Sequence, residues 1–85
     1  MATTQNFTVN AAGWTRIASG RGNGQVVKVE GAGPFVVAVT VGKATEVPGI
    51  PALTGHRVEV STDLPLVNNQ HLWATASVST QLTVT

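Results

Sequence analysis

Phe35-Val36-Val37-Ala38-Val39-Thr40-Val41 decides the fold class of this chain. Phe35, Val37, Val39 and Val41 share one parity, and Val36, Ala38 and Thr40 share the other. A β-strand sends alternate side chains to opposite faces. A run this apolar on both parities therefore reads as a central strand covered on both sides. No window of the chain holds the i, i+3, i+4, i+7 apolar pattern of an amphipathic helix.

On either side of this run, six further strands are expected. Residues 5–9 put Phe7 and Val9 inward. Residues 14–18 set Trp14 and Arg16 opposite Thr15 and Ile17. Residues 25–30 alternate Val27 and Val29 with Val26, Lys28 and Glu30. Residues 57–61 put Val58 and Val60 inward, and residues 72–78 and 81–84 complete the set. Gly and Pro clusters punctuate the chain at the spacing of a sandwich or barrel. Gly31-Ala32-Gly33-Pro34 reads as a hairpin turn, Ser79-Thr80 as another, and the glycine-rich residues 20–24 as a turn at ease with positive φ. The long connection is residues 42–55, with Pro48, Gly49 and Pro51. A loop of that length in a compact domain is functional or packed against something. The expectation is one domain over residues 1–85: all-β, a small β-sandwich or barrel of about seven strands.

Composition bounds the function. The 85 residues contain no cysteine, which excludes disulfides, thiolate metal sites and a cysteine nucleophile. Charged residues make up 11% of the chain, well below the roughly 25% of an ordinary domain. Five Lys+Arg stand against four Asp+Glu. The basic residues Arg16, Arg21, Lys28, Lys43 and Arg57 are scattered, so no nucleic-acid footprint forms. No stretch reads as a signal peptide or membrane span, and synthesis in a cytoplasm is expected. A small, weakly charged chain calls for outside support, from oligomerisation or a larger partner. Residues 64–85 carry no Asp, Glu, Lys or Arg. Without the charges that guard edge strands, they are expected to be either central or paired with another subunit.

Candidate chemistry is thin. The glycine turn lacks the Gly-Lys-Ser/Thr and the following helix of a phosphate loop. His56 and His71 lack metal-ligand spacing and read as surface or hydrogen-bonded, with His71 exposed after Asn68-Asn69-Gln70. No nucleophile elbow is present. Glu30, Glu46, Glu59 and Asp63 read as solvated charges, and Asn6-Phe7-Thr8 as an accidental sequon. Trp14 and Trp73 raise sugar stacking, but each lies in an apolar strand pattern that suits a buried or interface ring. No enzymatic activity, cofactor or metal is expected.

The order of features carries a resemblance. It runs from Gly13-Trp14-Thr15-Arg16-Ile17-Ala18 through the strand of Val26 to Glu30. Gly33-Pro34-Phe35-Val36-Val37-Ala38-Val39 and a Pro-bearing loop follow. Then come Gly55-His56-Arg57-Val58, Leu64-Pro65-Leu66, His71-Leu72-Trp73-Ala74-Thr75-Ala76 and Leu82-Thr83-Val84-Thr85. This layout resembles the small all-β virion proteins of tailed bacteriophages, capsid decoration (cement) and head-fibre proteins in particular. The resemblance implies a structural protein of the virion, made in the host cytoplasm, that binds the major capsid protein or another virion protein and stabilises the head shell. It implies no catalytic residues. The alternative is a carbohydrate- or receptor-binding module of a phage tail. Val47, Ile50 and Leu53 on the long loop, with Leu72 and Trp73, are the expected partner-binding residues. A homo-oligomer is expected through residues 72–85, with neither nucleic acid nor membrane as partner.

Overall fold

The computed structural model describes residues 4–20, 24–43, 45–50 and 55–85. They form eight strands and no helix: β1 (Gln5–Val9), β2 (Thr15–Ser19), β3 (Gln25–Gly31), β4 (Phe35–Val41), β5 (His56–Val58), β6 (Ser61–Leu66), β7 (Gln70–Thr75) and β8 (Thr80–Val84). Two four-stranded antiparallel sheets, ordered β1-β8-β3-β6 and β2-β7-β4-β5, make a small sandwich. The chain is thus all-β, as the strand pattern requires.

Most links cross between the layers. β1 leads to β2, β3 to β4, β5 to β6 and β7 to β8, and each pair occupies matching positions in the two sheets. The turns expected at residues 31–34 and 79–80 are therefore arches between sheets, not hairpins. An arch suits its short Gly- and Ser-bearing links as well as a hairpin does, so local sequence does not separate the two. Within one sheet, β4 and β5 are consecutive neighbours, and the long segment 42–55 joins them.

One strand more is present than the pattern predicts. The segment read as a strand over residues 57–61 breaks after Val58, and Val60 is exposed. The chain changes sheets at Glu59-Val60 and continues as β6, which Pro65 had masked as a strand. Pro65 is tolerated because β6 lies at a sheet edge. The strand read as 72–78 stops at Thr75, and Val78 is exposed where the chain crosses to β8.

The core lies between the sheets. Val27, Val29, Leu66 and Leu82 from the first meet Phe35, Val37, Leu72 and Ala74 from the second. A β-bulge between Arg16 and Ala18 turns both Ile17 and Ala18 toward this core. Phe35 and Val37 are buried as expected, but Val39 is 45% exposed. β5 pairs with β4 along Phe35 to Val37 alone, so the far half of β4 loses that flank.

The uncharged C-terminal residues are central: β7 lies between β2 and β4, and β8 between β1 and β3. Both sides of each strand already have hydrogen-bonded neighbours. Of the two expected placements of these residues, central or paired with a second subunit, the structure shows the central one, and residues 72–85 offer no free strand edge.

Candidate docking surface

The outer faces of the two sheets differ. On the first sheet, outward Asn6, Thr8, Gln81, Lys28, Glu30 and Asp63 are solvent-exposed. Lys28 Nζ sits 3.5 Å from Glu30 Oε1, with both side chains more than half exposed. Such a pair contributes about 0–1 kcal/mol.

On the second sheet, β7 is buried on both faces. Leu72 and Ala74 belong to the core, while His71, Trp73 and Thr75 point the other way and are still buried. Register sets Trp73 between Arg16 on β2 and Ala38 on β4. The Trp73 indole Nε1–H donates to Thr40 Oγ1 at 2.8 Å, which satisfies its polar atom under cover.

Two clamps hold the segment after β4 to this sheet. At its start, Gly42 N–H donates to the Asn69 carbonyl at 2.8 Å, and the Gly42 carbonyl lies 2.9 Å from His71 Nε2. A carbonyl only accepts, so Nε2 carries a proton. Nδ1, 2.8 Å from Ser19 Oγ, can then accept the serine proton in the neutral ring. His71 is therefore a buried strut spending both nitrogens, not the exposed residue that its polar neighbours suggest. Gly42 has φ +114°, a conformation that strains any residue with a Cβ. At the other end, Trp14 Nε1–H donates to the Ile50 carbonyl at 3.0 Å. Between the clamps Pro48 is buried, whereas Val47 and Ile50 are 58% and 42% exposed.

The expected partner-binding residues separate accordingly. Val47 and Ile50 come together on one clamped segment and face solvent. Leu53 lies outside the described residues. Leu72 is fully buried in the core and reaches no surface, because its parity on β7 points between the sheets. Trp73 is 6% exposed, on the outer side of β7 with its indole N–H held by Thr40. Sequence reading missed His71 and Trp14 as anchors. The signal was available for Trp14, whose apolar setting suits a covered ring with one donor that needs an acceptor, but not for His71, whose neighbours are polar.

Among the described residues, no three His, Asp or Glu side chains are grouped to hold a metal ion. Every buried side-chain polar atom of those residues has a partner. Comparison of the chain with known protein families, curated proteins and solved structures found no match.

Proposed function

We propose that this chain is a structural virion protein that decorates a tailed-bacteriophage head shell, docking through the clamped segment over the second sheet. One observation carries the reading. Val47 and Ile50 are presented to solvent on a segment already tied down by His71, Asn69 and Trp14. Ordering a loop on binding costs free energy, and a segment held beforehand avoids much of that cost. Low charge over the chain suits a surface that works while covered, and the feature layout supports the same placement. Many copies on one particle would multiply weak contacts through avidity.

Ring placement supports attachment over sugar binding. A sugar platform needs a flat, open ring. Trp73 is buried, and Trp14 is half-buried with its indole N–H committed.

The test uses particles of the phage that encodes the chain. Mass spectrometry of gradient-purified particles should find the chain in many copies. The Val47→Asp/Ile50→Asp variant should fold and melt like the wild type but lose most of its occupancy on undecorated particles. A chain absent from purified particles would overturn the reading. Full occupancy by the double variant would remove the docking segment from it.

A further inference from the structure

We infer that β1 is a pairing edge for a second copy of this chain, joining two first sheets into one continuous sheet about a two-fold axis at Phe7. The inference stands on the edge itself and does not rest on attachment to a shell.

Backbone directions come first. Lys28 and Thr85 exchange both hydrogen bonds, at 3.0 and 2.9 Å. Successive residues of a strand direct their backbone groups to opposite sides. Thr85 and Thr83 therefore face β3, while Val84, Leu82 and Thr80 face β1. Their register partners are Gln5, Phe7 and Val9, whose backbone groups are used in that ladder. The N–H and C=O of Asn6 and Thr8 point the other way, toward an edge with no strand beside it among the described residues.

The other three edges are blunted. β6 pairs with β3 through Gly31 N–H to the Val60 carbonyl, so alternation aims position 65 outward, where proline has no N–H. β5 is three residues long. β2 is bulged and carries Arg16. β1 has no charge, no proline and no bulge, the devices by which proteins protect edges. A second copy thus offers one competent partner for β1, which is its own β1.

Self-pairing fits residue by residue. Antiparallel pairing about Phe7 sets Asn6 opposite the partner's Thr8 in a hydrogen-bonded pair, using the outward groups of both. It sets Phe7 opposite the partner's Phe7 in the closer, non-hydrogen-bonded pair, where aromatic side chains gain most. No like charges meet along the paired β1 strands. Phe7 is half-buried and packs on the core. It also lines an open groove of about 580 Å³ between β1 and β2, with Ile17, Ala18 and Arg16. Two facing rings would cover the mouth of that groove in both copies. The interface is isologous, so it closes at a dimer.

Sedimentation of the purified chain across a concentration series, with no shell present, should show a monomer–dimer equilibrium. Thr8→Pro removes an outward N–H at both symmetric positions and leaves the ladder to β8 intact. Its dimer dissociation constant should rise at least about tenfold, with the melting transition retained. Should Thr8→Pro fail to fold, Asn6→Lys/Thr8→Lys replaces it, since it sets ammonium groups opposite one another on an exposed face. The register has its own readout. The chain has no cysteine, so oxidised Phe7→Cys should form a disulfide-linked dimer, the Cα spacing of that pair being within disulfide range. A wild-type chain that stays monomeric to about 1 mM, far above the Kd range of a specific dimer, overturns the proposal. So does a dimer that none of these variants alters, or a β1 that pairs only with a strand of another protein.

Discussion

β7 and β8 occupy equivalent central positions, one in each sheet, and both lack charge, yet they are buried differently. β7 is covered on both faces from His71 through Thr75, whereas β8 alternates buried Leu82 and Val84 with outward Gln81 and Thr83. The difference comes from what lies above each sheet. On the second sheet the outward His71, Trp73 and Thr75 are buried beside a segment tied at His71 and Trp14, whereas the outward side of the first sheet is open to solvent. Position in the ladder does not set charge, since central β3 carries Lys28 and Glu30 while edge β1 carries none. Cover on the outer side is what separates β7 from β8.

Substitutions on either side of each sheet test this contrast. On the shared inner side the two sheets should respond alike. Val37→Asp and Leu82→Asp each bury an unpaired charge, a cost that rivals the whole stability of a domain, about 5–15 kcal/mol. Neither variant should show a cooperative thermal transition. A melting transition in Val37→Asp would remove β4 from the core.

On the outer sides the responses should part. Trp73→Ala deletes a ring that is 6% exposed and should cost about 3–5 kcal/mol in chemical denaturation. Thr83→Ala, at a corresponding place on the other sheet, should stay within about 0.5 kcal/mol. Equal costs would mean that the covered face is not a second packing layer.

Smaller effects test the clamps. His71→Leu strands Ser19 Oγ and the Gly42 carbonyl without their ring partner. It should cost about 1–3 kcal/mol, and amide exchange of Gly42 should rise as the segment loosens. Trp14→Phe keeps a ring and removes one donor to Ile50. About 1 kcal/mol is expected, with a faster-exchanging segment and little change in the sheets. Thermal melts alongside exchange measurements separate the two.

Legibility in the sequence followed parity. Val9, Val27, Val29 and Val58 were readable as inward residues and are buried, because alternation against polar neighbours marks a face. β6 was not readable. Pro65 argues against a strand, and β6 tolerates it only because its outward edge has no partner among the described residues. Val47 and Ile50 were readable as apolar residues on a long loop. That they share a segment tied at Gly42 and Ile50 depends on His71 and Trp14, which lie 29 and 36 positions from their partners.

Residue composition and alternation suffice to make this chain all-β and free of disulfides and to mark most of its inward positions. Those properties follow from residue type and period-two spacing, which act over a few neighbours. Which sheet each strand joins, which strands are edges and which outer face is buried emerge only from the folded arrangement. A Gly- or Ser-bearing link can turn within one sheet or arch to the other. The choice falls to burial summed over strands far apart in the chain, and no local pattern carries that sum.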